Sequence, residues 1–223
     1  MHEEMKAFLE GLEGTLLPIR QIAQRILDED SCVDPLSGAH LISRRTGIAP
    51  EAYAFVLFPG VGAELIARYE IVHGKMGTYE FSIPNAFKQV LKHLNGASLF
   101  QISLFGIPRT MADNPPLLNR STRQPLDLAT ANQSWSAKYK PRADQFHIGS
   151  GPYSSSENLG YFLSPDWTVE ARRVGGECFA TWQSIASFLS SELSRAESQY
   201  PAHEEFWREL NSKSKKLKGR KSR

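Results

Sequence analysis

The sequence predicts an α+β fold: a central antiparallel or mixed sheet flanked by helices, with a helical extension at the N-terminus. Three observations predict it. Apolar residues recur at helical spacing at both ends of the 223-residue chain. Between them lies a series of short apolar segments separated by Gly and Pro, the punctuation of short strands. The stretch Ser82–Pro108 joins both signals, with a helix start, a helix stop and a strand in one short segment.

In chain order, Met5, Phe8, Leu9 and Leu12 form a first helical stripe, weakened at its end by Gly11 and Gly14. Ile19, Ile22, Ala23, Ile26 and Leu27 form a second stripe after Pro18. Residues 31–50 contain Asp34-Pro, Ser37-Gly and Ala49-Pro and read as loop or short irregular pieces. Tyr53–Phe58 is an apolar run that fits a strand or a buried helix. Leu65, Ile66, Tyr69 and Val72 mark another helix. Pro84 then sits where a first-turn proline is tolerated, because its missing N–H would be unpaired there anyway. Phe87, Val90, Leu91 and Leu94 follow at i, i+3, i+4 and i+7, and Asn95-Gly96 offers the left-handed residues that end a helix. From Leu99 the period drops to two, with Phe100, Ile102 and Leu104 on one face and Gln101 and Ser103 on the other. Residues 107–125 read as a long polar surface loop. A helix near 127–137 places Trp135 in the core. Short strands punctuated by Gly149, Gly151, Pro165 and Gly175-Gly176 come next. Trp182, Ile185, Ala186, Leu189, Leu193 and Ala196 pattern the closing helix.

An Ile-Pro, an aromatic-bearing helix, an Asn-Gly stop and a strand running into Phe-Gly resemble the core motif of the SUKH superfamily, which includes Smi/Knr-like proteins. Other parts follow in order. Glu64–Glu70 resembles the helix before the Ile-Pro, and Leu126–Asn132 with Trp135 the mid-domain segment. Phe146–Ser150 and Leu159–Leu163 resemble paired strands, and Trp182–Leu193 the closing helix. The likeness covers roughly residues 59–197. It implies a SUKH-like domain over 59–200, an N-terminal helical extension over 1–58 packed on it, and a C-terminal segment over 201–223. The segment before Pro59 is longer than the family core needs, and the basic end departs from the pattern.

Composition is that of an ordinary soluble protein, 41% hydrophobic and 22% charged. No apolar run approaches the roughly 18 residues of a membrane span, and the polar, acidic Met1–Lys6 start predicts no signal peptide. Cys32 and Cys178 stand far apart, as reduced thiols of a cytoplasmic protein do. The net charge of +2 conceals an asymmetry. Lys213–Arg223 carries seven cations and no acid, so the rest holds 19 basic against 24 acidic residues and stands at −5.

Catalytic patterns are weak. Phe58-Pro-Gly-Val-Gly62 resembles a dinucleotide-binding turn, but Leu65 stands where the third glycine belongs; a loop before a helix is the plainer reading. His203-Glu204 lacks the second histidine of a zinc-protease helix, Trp207 taking its place. Gly149-Ser150-Gly151 and Ser154–Ser156 lack the nucleophile elbow, and His147 reads as a strand residue facing solvent or satisfying a neighbour. Glu64 and Glu70 do not share a helix face, while Glu170 and Glu177 read as surface charges. The expectation is therefore no enzyme, no cofactor and no metal.

What remains is a binding surface. Tyr153, Glu157, Asp166 and Trp167 fall in turns between expected strands, and Tyr and Trp bring much contact area with few rotors. The resemblance implies an immunity protein that neutralises a cognate toxin, a nuclease or another basic domain, by protein–protein contact. A regulatory or scaffold module binding another protein is the second reading. Nucleic-acid binding through the basic tail is the third, against a plainly solubilising tail.

Overall fold

Alternating apolar residues and closely spaced turns lay down one antiparallel sheet, hairpin after hairpin. The structure, a computed structural model, describes residues 2–45, 52–74, 81–108, 124–154 and 157–201. The strands are β1 (Cys32–Val33), β2 (His40–Arg45), β3 (Ala52–Pro59), β4 (Leu94–Leu99), β5 (Ile102–Leu104), β6 (Phe146–Pro152), β7 (Asn158–Leu163), β8 (Val169–Arg172) and β9 (Cys178–Trp182). They pair in chain order, each antiparallel to the next. The helices are α1 (His2–Glu10), α2 (Leu17–Ile26), α3 (Ala63–Gly74), α4 (Asn85–His93), a compound α5 and α6 (185–201). α5 is an α turn (Leu128–Thr130) followed by a π segment (Ala131–Trp135) and a 3-10 turn (Ser136–Tyr139). The fold is α+β.

Strand alternation decides which face each helix covers. Ile148, Tyr161, Leu163, Val169 and Ala171 join Phe188, Leu189 and Leu193 of α6 and the stripes of α1, α2 and α4 in one apolar core. His147 and Phe162 point the other way, against Tyr139 of α5. Ala39, Leu41, Val56 and Phe58 form a smaller cluster on the alternate positions of β2 and β3. A buried carboxylate ties α6 to the sheet: the Tyr161 hydroxyl of β7 donates to Glu192, whose two oxygens the Arg195 guanidinium of the same helix holds (2.9 and 2.6 Å).

The expected helical stripes stand where α1, α2, α4 and α6 are found, except that Trp182, read as the start of the closing helix, is the last residue of β9; the ambiguous run at Tyr53 is strand β3. Four readings change. Residues 31–50 are not merely loop, since they contribute β1 and β2; with most of β3, three strands therefore precede residue 59 and pair into the same sheet. Asn95-Gly96 is no helix cap: α4 ends at His93, and the Asn95 side chain, buried in β4, exchanges hydrogen bonds with the Ile107 backbone (2.7 and 2.8 Å). The strand expected from Leu99 is a hairpin. Phe100 adopts φ +54°, its N–H donates to the Ala54 carbonyl (2.7 Å), and the chain reverses between β4 and β5. Trp135 is no core residue but stands at a rim, 37% exposed, edge-on to Phe105. The readings on Ala49-Pro50, most of 107–125, Ser155, Ser156, His203-Glu204, Trp207 and the basic tail lie outside the described residues.

Gly60 lies in a loop before α3, the plainer of the two readings of Phe58–Gly62, and its glycine answers to packing. The chain leaving β3 passes the end of α4 so closely that a Cβ on Gly60 would overlap the Lys92 carbonyl, while the Val61 N–H donates to the Leu91 carbonyl (2.9 Å). Gly60→Ala is expected to destabilise the fold by about 2 kcal/mol, the order of a forced backbone shift. Urea denaturation checks it, and an unchanged midpoint would mean that the two segments are not packed this closely.

Candidate partner-binding site

The β7–β8 hairpin is built from Ser164-Pro-Asp-Trp-Thr168. Pro165 presets the first turn residue, and the Asp166 carboxylate accepts from the Thr168 N–H (3.2 Å) and hydroxyl (2.7 Å). Those two bonds hold the Asp166 carboxyl below its ordinary range. The Ser164 N–H donates to the Thr168 carbonyl and the Trp167 N–H to the Ser164 carbonyl, both at 2.9 Å. This three-residue loop demands a left-handed residue at its third position, a place suited to glycine. Trp167 occupies it at φ +73°. The next hairpin has the same two bonds, Arg173 N–H to the Glu177 carbonyl (2.9 Å) and Gly176 N–H to the Arg173 carbonyl (3.0 Å), and there the corresponding residue is Gly176. A bulky residue in this conformation is strained. The strain holds an indole that is 58% exposed, and among the described residues no ring stacks on it.

Trp167 walls a cavity of about 290 Å³ between the loop after α1, α4 and the start of α6. Its apolar floor is made by Leu16, from the turn before α2, and by Val90 and Ile185, from the stripes of α4 and α6, all three buried. Glu13 stands at its edge, exposed, with no ion-pair partner among the described residues. On a neighbouring face of α4, with Gln89 lining both, a cavity of about 200 Å³ is lined by Lys88, Lys92 and Glu70, which pairs with Lys88 at 2.8 Å.

Tyr153, Glu157, Asp166 and Trp167 do occupy turns, but not one patch. Tyr153 and Glu157 flank the start of β7, and Asp166 and Trp167 follow its end, about 20 Å away at the rise of a strand. The Tyr153 ring lies between the Arg173 guanidinium (4.6 Å) and the Phe179 ring (5.2 Å). Arg173 also holds Glu157 (3.1 Å) and Glu177 (2.9 Å), and its bonds to Glu157 keep that carboxyl below the usual range. At this end the rings and charges hold one another while Tyr153 and Phe179 stay exposed; the Trp167 indole is exposed with no ring partner among the described residues.

One further expectation is corrected, and one open alternative closes. Glu170 is no surface charge: it is 8% exposed and paired with Arg142 and Arg172. Of the two readings of His147, the structure has the one that satisfies a neighbour: α5 covers its face of the sheet, and its ring bonds the Ala131 carbonyl. Sequence reasoning missed Glu13 and the cavity floor, which come together from three distant segments with no local signal. It also missed Arg173 and Phe179. The placement of Trp167 did leave a trace, since Pro-Asp announces the turn and the next position lacks the glycine that turn favours. Among the described residues no group of three or more His, Cys, Asp or Glu could hold a metal ion, and no helix is long and apolar enough to cross a membrane.

Comparison with protein-family models, curated proteins and solved structures finds no match. The functional reading therefore rests on this geometry and on the resemblance read from the sequence.

Proposed function

We propose that the chain is a binding protein of the SUKH immunity type, which neutralises a toxin protein by occupying its working surface. The observation that carries the reading is Trp167, held outward over a groove at a backbone conformation that favours glycine. Strain of this kind persists where surrounding structure enforces it, and it clusters at binding and switch sites. An indole beside an apolar-floored cavity has the make-up of an interface anchor. The charge of −5 outside the basic tail favours encounter with a basic partner, speeding association more than it raises affinity. Neutralisation by occlusion asks for no chemistry from this chain.

Co-expression with the products of neighbouring genes tests the proposal. The expected result is rescue of growth from one toxic neighbour and co-purification of the pair. Neither rescue nor co-purification with any neighbour would overturn it.

A further inference from the structure

We infer that the Trp167 groove receives an arginine side chain presented by the partner. The inference rests on the binding role proposed above and names the chemistry that the groove selects. Three features of the cavity converge on this. Glu13 supplies a carboxylate with no ion-pair partner among the described residues, none of whose Lys or Arg side chains lines the cavity, His93 being its one basic side chain. Trp167 supplies an exposed aromatic face on which a planar cation stacks. Leu16, Val90 and Ile185 supply an apolar floor along which a three-carbon stem can lie while its charged head stays at the mouth.

Arginine matches all three at once. Its guanidinium can stack on the indole and donate in plane to the carboxylate, whereas a lysine ammonium is a compact, strongly hydrated charge without a stacking plane. The size agrees as well. A cavity of about 290 Å³ sits at the lower end of volumes that enclose small ligands, enough for one long side chain and too small for a folded element. The two cavities of α4 differ in charge, because the one on its neighbouring face is lined by Lys88 and Lys92, and its carboxylate, Glu70, is already paired with Lys88.

The test titrates the full chain with the peptide acetyl-Gly-Gly-Arg-Gly-Gly-amide and with its citrulline counterpart, an uncharged isostere. The indole N–H resonance of Trp167, assigned by its loss in Trp167→Phe, is the readout. The arginine peptide is expected to shift this resonance saturably. The citrulline peptide should bind at least about tenfold more weakly, as loss of a charge-assisted bond predicts. Glu13→Gln should weaken the arginine peptide about tenfold and leave the citrulline peptide unchanged; Glu13 is exposed, so the variant keeps its fold. Equal binding of the two peptides, no shift with either, or an unaffected Glu13→Gln would each overturn the inference. If removing residues 213–223 raised the peptide's affinity tenfold, the occupant would be the chain's own tail, and the assignment to a partner would fall. Growth rescue together with a silent arginine titration removes the arginine assignment and leaves the binding role standing. A working titration without rescue by any neighbour removes the toxin reading and leaves the arginine site.

Discussion

Trp167→Ala is expected to weaken partner binding by about 100-fold, roughly 2.7 kcal/mol, while leaving unfolding stability within about 1 kcal/mol of wild type. The indole is more than half exposed, so most of its surface is available to a partner and little of it supports the core. Removing it deletes one wall of the cavity and the aromatic face above it. A companion variant isolates the backbone. Trp167→Gly and Trp167→Ala both lack the indole and differ chiefly in how they tolerate φ +73°. Glycine adopts that conformation without the Cβ clash, although it gives the unfolded chain more freedom. The glycine variant should therefore be the more stable of the two by about 0.5–1 kcal/mol, and equally poor at binding. Calorimetry with the purified partner and urea denaturation measure the two quantities separately. Full affinity in Trp167→Ala would remove the anchor; a loss of several kcal/mol of stability would place the indole in the core instead.

Which parts of this molecule can be read from its residues follows from how local each signal is. Pro84, Phe87, Val90 and Leu91 announce α4 because a helix's buried face is written within a few turns of its own sequence. The reversal at Phe100 is hidden, because a phenylalanine at φ +54° breaks the turn chemistry that would mark it. Only the Ala54 carbonyl, far away in sequence, accepts its N–H. β1 is two residues long and β2 carries Ser43 at φ +55°, so neither offers a clean alternation. The site follows the same rule. Trp167 and Tyr153 are visible as aromatics in turns. Whether such a ring is open or already covered depends on Arg173 and Phe179, which arrive from neighbouring strands. His147 stayed open between solvent and a neighbour for a related reason: alternation assigns Phe146 and Ile148 to one face and His147 to the other, but says nothing about what covers that other face. Here α5 does, and the histidine is as buried as its neighbours.

That burial has a measurable consequence, because acid should destabilise the fold through His147 by about 3 kcal/mol between pH 6.5 and pH 4. The ring stacks on Phe162 (4.4 Å between centroids) and meets Phe105 and Tyr139 edge-on. Its Nδ1–H donates to the Ala131 carbonyl (3.3 Å), and Nε2 has no hydrogen-bond partner among the described residues. Burial pushes the pKa down to about 4, Lys138 adding to the effect, while the Ala131 and Gly149 carbonyls oppose it. Above pH 6.5 the histidine is neutral in both folded and unfolded chains and contributes no pH dependence. Between 6.5 and 4 the unfolded chain takes up a proton that the folded chain refuses, so stability falls as pH falls. Below 4 both forms are protonated and the loss levels off, at about 1.4 kcal/mol for each pH unit of separation. Buried His40, stacked on Phe8 with its Nδ1 unpartnered among the described residues, adds to the loss in the same direction, with Glu4 working against it. The lowered carboxyls of Glu157, Asp166 and Glu170 act in a more acidic range, so they do not mimic the effect. His147→Phe keeps the aromatic stack, and the Ala131 carbonyl retains the Ser136 N–H as donor. The variant should match wild type within about 1 kcal/mol at pH 7.5 and exceed it by about 2 kcal/mol at pH 4.5. Urea midpoints across that range decide the matter: parallel curves for the two proteins would mean that His147 takes its proton as readily folded as unfolded, and that the aromatic face under α5 is open to water.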